Sequence, residues 1–124
     1  MKAAKITTCL FLLSTISIMG CQSDASPKSR LKGRWDMKYA ELNGQAAPLL
    51  ERMYFQFDDK QVTTNFNEAA VDETVPFEFE ESIITKKSEP IIEFEVISLS
   101  DSILEMTTAM RGFDFKLVLQ HSSQ

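Results

Sequence analysis

The side chains that most often carry out chemistry are few in this chain of 124 residues, and their spacing does not indicate catalysis. The single histidine, His121, lies in a polar C-terminal segment without a cysteine, a second histidine or an acidic cluster at metal-ligand spacing. Serine and threonine are plentiful, but the sequence has neither a Gly-x-Ser-x-Gly motif nor a glycine-rich phosphate loop. We therefore expect no catalytic residue, no metal site and no cofactor, and a protein that is not an enzyme.

Two acidic stretches could be interpreted as a cation site or as paired acid and base groups. In residues 75–80 and 92–96, glutamates alternate with apolar residues. Such alternation places the acidic side chains on one face of a strand and the apolar ones on the other. Acid–base catalysis needs one carboxyl group in a dry setting, so that the two pKa values differ. We therefore predict that these carboxylates face solvent: Glu78, Glu80, Glu81, Glu93 and Glu95.

The cysteine Cys21 lies directly after a segment with the properties of an export signal. Lys2 and Lys5 give this segment a positive start, and the 14 residues from Ile6 to Met19 carry no charge. A helix that spans a membrane needs about 20 residues, so the run is too short to span. A positive start, an apolar run and a small residue before the cut are typical of a signal peptide. We interpret residues 1–20 in this way.

The sequence Ile18-Met19-Gly20-Cys21 resembles the lipobox of bacterial lipoproteins. In that class the cysteine thiol receives a diacylglyceryl group, and a peptidase then cuts just before it. The resemblance implies that Cys21 is the site of lipid attachment and that acyl chains such as palmitate hold the protein on a membrane. Several chains anchor a protein firmly, whereas one binds only marginally. Gln22 replaces the aspartate of an inner-membrane retention signal, so we expect a cell-envelope location at the outer membrane.

Composition then limits the remaining 104 residues. Loss of Lys2 and Lys5 with the signal changes the formal charge from −5 to −7, which disfavours nucleic acid as a partner. Cys9 is lost as well and Cys21 is lipidated, so no disulfide can form and the fold depends on its apolar core. We expect a lipidated flexible tether at 21–32, one domain at 33–120 and a polar tail at 121–124.

Within the domain the hydrophobic pattern has a period of two, which indicates β-strands with one buried face. Turn signals separate these stretches, and the segment from Ala46 to Leu50 could form one helical turn over an open end. Residues 68–73 either continue a strand or form a loop. The predicted strands are 34–41, 52–58, 61–67, 74–80, 82–87, 91–98, 102–110 and 113–120. We predict an all-β, antiparallel, up-and-down eight-stranded barrel, because closure removes both exposed edges; a two-sheet sandwich is the alternative.

The first strand contains Gly33 and Trp35 in a Gly-x-Trp sequence. This motif, together with the eight strands, resembles lipocalins and the compact lipocalin-like domains of bacterial lipoproteins. The resemblance implies that the tryptophan plugs the closed end of the barrel and that the glycine lets the chain pass close to it. The family also has an arginine after the last strand that stacks on the tryptophan. This chain has no such arginine, since His121 and polar residues follow instead.

Aromatic and methionine side chains dominate the predicted inner face of the barrel. They could form a pocket for an apolar ligand, because phenylalanine and methionine offer broad, adaptable contact area. They could equally fill the interior, since eight strands enclose little space. The candidate ligand-binding residues are Trp35, Met37, Tyr39, Phe55, Phe57, Phe77, Phe79, Phe94, Met106 and Phe115. Further residues predicted on the same face are Met53, Val75, Ile92, Val96, Leu104, Met110, Phe113, Leu117 and Leu119.

Two functions follow from these alternatives. The first is a membrane-anchored binding module that takes up a small apolar ligand. The second is an envelope protein-interaction or inhibitor module with a packed core, which acts through its loops at 43–50 and 68–73. An interior cavity of about 300 Å³ or more would favour a ligand. Solid packing would favour a partner protein.

Overall fold

The structure, a computed structural model, describes residues 27–122. The predicted signal peptide, Cys21, the tether residues 22–26 and the last two residues of the tail lie outside the described residues. The part that is described begins with a short helix, α1 (Pro27–Arg30), and also contains a 3₁₀ helix (Pro48–Arg52). The strands are β1 (Gly33–Leu42), β2 (Gln45–Ala46), β3 (Tyr54–Phe57), β4 (Gln61–Thr64), β5 (Glu73–Glu80), β6 (Ile83–Lys86), β7 (Ile92–Leu99), β8 (Ile103–Met110) and β9 (Phe113–His121).

The strands form one closed antiparallel barrel. Each of β3 to β9 pairs with the strand before it in the barrel, and β1 pairs with both β3 and β9. The two-residue strand β2 pairs with the far end of β1 and adds a ninth strand outside the ring of eight. The predicted up-and-down eight-stranded barrel is therefore confirmed. Closure leaves no free edge in the ring, which explains how such short strands can form a stable sheet.

Strand register gives the barrel two ends that differ in their connections. We call the end where β1 begins and β9 finishes the proximal end; Gly33 pairs there with Phe57. The opposite, distal end carries the 3₁₀ helix and the connections at residues 65–72, 87–91 and 111–112. The region of residues 68–73 whose structure was left open is mainly loop, since β5 begins only at Glu73. The predicted helical turn is present two residues later than expected, as the 3₁₀ helix.

The tight hairpins depend on residues with positive φ. Asn43 and Gly44 have φ angles of 53° and 84°, and Arg111 and Gly112 have 55° and 85°. Two consecutive positive φ angles define the turn whose twist matches paired antiparallel strands, and glycine or asparagine favours it. Asn43 adds a bridge between the two distal turns, because its backbone N–H donates to the Asp114 carbonyl oxygen at 2.7 Å. These turns fix the register of the strands that they connect.

A bulge in β1 makes the predicted inward orientation of Tyr39 wrong. The register shifts between Met37 and Tyr39, so that Lys38 is an extra residue in the strand. A bulge of one residue reverses the faces of the residues that follow it. Tyr39 is consequently 38 % exposed and donates its hydroxyl to Glu41, whereas Ala40 is fully buried in the core. Strict alternation from Trp35 onwards could not show this extra residue.

Phe113 also differs from its predicted burial, for another reason. It is the first residue of β9 and lies at the distal rim, next to the turn at 111–112, where its side chain is 46 % exposed. Its position in the strand is consistent with Leu117 and Leu119, which are fully buried farther along β9. The alternation was therefore correct, but the barrel wall ends before it can cover this ring.

The packed structure begins earlier than the predicted domain boundary at residue 33. Leu31, in the predicted tether, is fully buried in the core, and Arg30 of α1 donates a hydrogen bond to the Leu99 carbonyl oxygen at 3.0 Å. The ammonium group of Lys28 lies 4.7 Å from the centre of the Phe77 ring. Thus α1 covers the proximal end of the barrel. One leucine among polar residues was too weak a signal to predict this.

None of the helices within residues 27–122 has the length and apolar character that would let it cross a membrane.

Candidate functional site

Phenylalanine rings in mutual contact occupy the barrel interior. The ring of Phe55 lies 5.4 Å from that of Phe94 and 5.8 Å from that of Phe66, measured between centroids. Phe57 lies 5.0 Å from Phe77, nearly edge to face. Aromatic pairs in this range add favourable energy to the burial of their surface. The predicted inner face is thus a packed aromatic core.

Most candidate ligand-binding residues belong to this core. Nine of the ten are part of it or pack against it, and Tyr39 is the exception because of the bulge. The fully or almost fully buried ones are Trp35, Met37, Phe55, Phe57, Phe77, Phe94 and Met106. Phe79 and Phe115 are partly buried and pack against the same cluster. The glutamates predicted to face solvent are all exposed.

Trp35 and His121 close the proximal end together. The indole N–H of Trp35 donates to the Leu31 carbonyl oxygen at 2.7 Å, and the His121 ring meets the indole edge to face at 4.7 Å. His121 is the last residue of β9, so the prediction that it lies in the polar tail is wrong. Gly33 leaves the room that this ring needs, since a β-carbon at this position would lie 2.5 Å from His121 Nε2.

A cleft of about 440 Å³ opens at the distal end. Its volume falls within the range of small-molecule sites. The exposed side chains of Val71 and Ile91 lie at its lips, and Ile92 and Met110 contribute further apolar surface. None of the ten predicted ligand-binding residues lines it. The cleft is instead formed by the loops at 65–72 and 87–91 and by the ends of the strands next to them.

A buried lysine and partly buried polar side chains form the floor of this cleft. Lys86 is only 1 % exposed, and its ammonium group forms an ion pair with the Glu73 carboxylate. The same ammonium group donates to the Ser88 hydroxyl at 2.8 Å. The side-chain amide of Asn67 donates to Glu73 Oε2 at 3.2 Å and so holds that carboxylate in place. A buried charge is tolerated only when it is paired and hydrogen-bonded in this way.

Sequence reasoning missed both Lys86 and Phe66, although a signal for each was present. Lys86 follows Ile84 by two residues in β6, so alternation alone places it on the inner face. Phe66 continues the inner series of Val62 and Thr64 beyond the end of β4, and it is buried against Phe94. A lysine at an inward position is unusual enough to mark a site.

The groups with displaced pKa values lie outside the cleft. The hydrogen bond to Glu41 raises the pKa of Tyr39, and burial raises the pKa of Tyr54. Backbone N–H groups of residues 60 and 61 donate to the Asp58 carboxylate and lower its pKa. Within residues 27–122, no three histidine, cysteine or acidic side chains come together in a group that could hold a metal ion.

The residues that the structure describes form an antiparallel barrel that is filled inside and carries a polar-floored cleft on its distal rim. No protein-family model matches the chain, and no curated protein matches it. Among solved structures, the crystal structure of an uncharacterized protein from Bacteroides eggerthii is similar, with a TM-score of 0.49 and 13 % sequence identity. The similarity covers 73 % of this chain and 98 % of that one. This likeness carries no argument about function.

Proposed function

We propose that this protein is a lipid-anchored, non-catalytic binding module of the bacterial cell envelope, with a lipocalin-like barrel that binds a small, largely apolar ligand. The cleft at the distal end carries this proposal, because it combines a suitable volume with apolar lips and a polar floor. The ligand site thereby moves from the barrel interior, which phenylalanine rings fill, to the rim.

The position of the cleft relative to the tether supports the proposal. The chain enters the barrel at the proximal end through α1, so the cleft is at the end farthest from the anchor. Five residues lie between Cys21 and Pro27, which makes six residue-to-residue steps, and an extended chain covers at most about 3.6 Å per step. A lipidated Cys21 would therefore hold α1 within about 20 Å of the bilayer. The cleft would lie at the end of the barrel opposite this attachment.

The anchor is tested by fractionation of cells that produce the protein. Cys21→Ser removes the proposed acylation site. The variant should therefore either appear in the soluble fraction or accumulate as a precursor whose signal peptide has not been cleaved. Cys9→Ser is the matched control, because this cysteine lies inside the apolar run and should leave the membrane association unchanged. Membrane association that persists in Cys21→Ser, with normal processing, would show that acyl chains do not hold the protein.

The cleft is tested with Nile red, an uncharged dye that fluoresces in apolar surroundings. The full chain with Cys21→Ser should increase its emission, and Ile91→Ser should weaken binding about tenfold, since it removes an apolar lip. Ile97→Ser is the control, because Ile97 is comparably exposed but lies on the bulge of β7, outside the cleft. Equal effects of the two substitutions would rule out the cleft as the binding site.

A partner protein is the second candidate function. Exposed apolar side chains at the distal rim favour it, above all Leu49 in the 3₁₀ helix and Phe113 at the start of β9. Crosslinking from residue 49 in intact cells, followed by mass spectrometry, tests this function. Recovery of one protein in amounts that fall after Phe113→Ser would support it, and recovery of only abundant envelope proteins would contradict it.

A further inference from the structure

The polar floor of the cleft contains information about the ligand head group. Lys86 and Glu73 neutralise each other at the floor, and Arg111 at the rim forms an ion pair with Glu68 at 2.8 Å. Among the charged residues that line the cleft, Glu89 gives the remaining formal charge of −1. Four of the five charged residues in the lining are thus paired with each other, and Glu89 is the fifth.

A charged head group would disturb this balance in either sign. An anion at the floor would compete with Glu73 for the ammonium group and would also approach Glu68 and Glu89. A cation at the floor would meet Lys86, whose carboxylate partner is already engaged. The unpaired Glu89 lies exposed in the loop at 87–91, so a cation that pairs with it stays hydrated at the rim and does not reach the floor. Removal of a charge from water costs several kcal/mol unless a free counter-charge is at hand. At the floor of the cleft, neither sign of charge finds a free counter-charge.

An uncharged group with hydrogen-bonding capacity meets no such penalty. The Lys86 ammonium group has three N–H donors, of which Glu73 and Ser88 accept two. The contacts of Glu73 with Lys86 and Asn67 both go to Oε2, and a carboxylate accepts at two oxygens. A hydroxyl group can accept from the ammonium group and donate to the carboxylate at the same time. An amide can do so as well.

We infer that the cleft binds an uncharged amphiphile, whose hydroxyl or amide head contacts Lys86 and Glu73 and whose apolar part lies between Val71 and Ile91. This inference rests on the proposed function and adds the chemical class of its ligand. It also separates the role of the floor, which selects the head group, from that of the lips, which bind the apolar part. Changes at the floor should therefore alter selectivity, and changes at the lips should alter affinity alone.

The test compares three eight-carbon compounds whose head groups are neutral, anionic and cationic: 1-octanol, octanoate and octylammonium. Binding to the full chain with Cys21→Ser is measured at neutral pH by displacement of Nile red. Octanol should bind at least about tenfold more tightly than either charged compound, which corresponds to about 1.4 kcal/mol. Ile91→Ser should weaken all three by a similar factor, and Ile97→Ser should weaken none.

A second variant reverses the selectivity. Glu73→Gln keeps the shape of the side chain but leaves the Lys86 ammonium group without its counter-charge. Octanoate should then gain at least about tenfold relative to octanol, because its carboxylate takes the vacated role. If octanoate binds as tightly as octanol, or more tightly, to the protein that retains Glu73, the inference is overturned while the proposed function stands. Failure of every compound and of Nile red to bind would overturn both.

Discussion

Gly33 shows how one residue can decide whether the proximal end closes. Its φ angle is +115°, and the His121 ring lies where its β-carbon would be. Trp35 is fully buried there, and the His121 ring contacts its indole edge to face. The sequence did not predict this contact, because His121 is part of no motif.

Gly33→Ala should destabilise the protein by about 3 kcal/mol, because a forced backbone conformation and a steric clash occur together. Gly112→Ala is the matched control: its φ is also positive, at 85°, but no atom lies within 4 Å of the added β-carbon. That variant should lose only about 1–2 kcal/mol. Urea unfolding monitored by fluorescence measures both. Equal losses would show that contact with His121 does not constrain residue 33.

The ion pair between Lys86 and Glu73 leads to an asymmetric prediction. Glu73→Gln leaves a buried ammonium group, whereas Lys86→Met leaves a carboxylate that is about one-third exposed and can be hydrated. We expect Glu73→Gln to lower the free energy of unfolding by about 3 kcal/mol and Lys86→Met by less. The double variant should lose less than the sum of the two. Urea denaturation of all four proteins gives the coupling energy, and additive losses would contradict the pairing.

At the scale of elements, the alternation of residues predicted nearly every strand to within two residues, since each strand buries one face. The alternation pattern gave no prediction where a side chain depends on a contact with a distant part of the chain. The counter-charge of Lys86 is on β5, and the sequence around Lys86 contains nothing that indicates it. The candidate site was placed inside the barrel for the same reason: a sequence shows which faces are apolar but not how tightly facing rings pack.

The bulge in β1 predicts an unusual tolerance to deletion. Because Lys38 is the extra residue, its deletion should leave Met37 and Ala40 on the inner face and restore plain pairing with β9. The protein should keep its fold and most of its stability. Deletion of Lys116 is the control, because β9 has no bulge there and the residues beyond it would reverse their faces. Circular dichroism and urea unfolding distinguish a folded barrel from a collapsed chain.

At the scale of the whole molecule, the two ends of the barrel differ in structure. At the proximal end α1, Trp35 and His121 pack over the core, and the distal end has the cleft and the exposed side chains of Leu49, Val71, Ile91 and Phe113. The packed aromatic core between them separates these two ends. We therefore expect little communication from one end to the other.

Trp35 provides a direct measurement of this separation. Its indole is fully buried, so its emission should be blue-shifted in the folded protein and move to longer wavelength on unfolding. Octanol at a concentration that displaces Nile red should leave this emission unchanged, because the cleft lies at the opposite end. A shift of the Trp35 emission that disappears in Ile91→Ser would contradict the separation and indicate that the core rearranges when the cleft is occupied.

The pairing of the first strand with the last also affects when the protein can fold. The barrel closes through hydrogen bonds between β1 and β9, which pair residues as distant in sequence as Trp35 and His121. A chain that is still being synthesised therefore cannot close the barrel. Such distant pairings form slowly, because the entropy cost of closing a long loop precedes the favourable energy of the contacts. Strand order alone would thus keep the barrel from closing until the chain has been synthesised as far as His121.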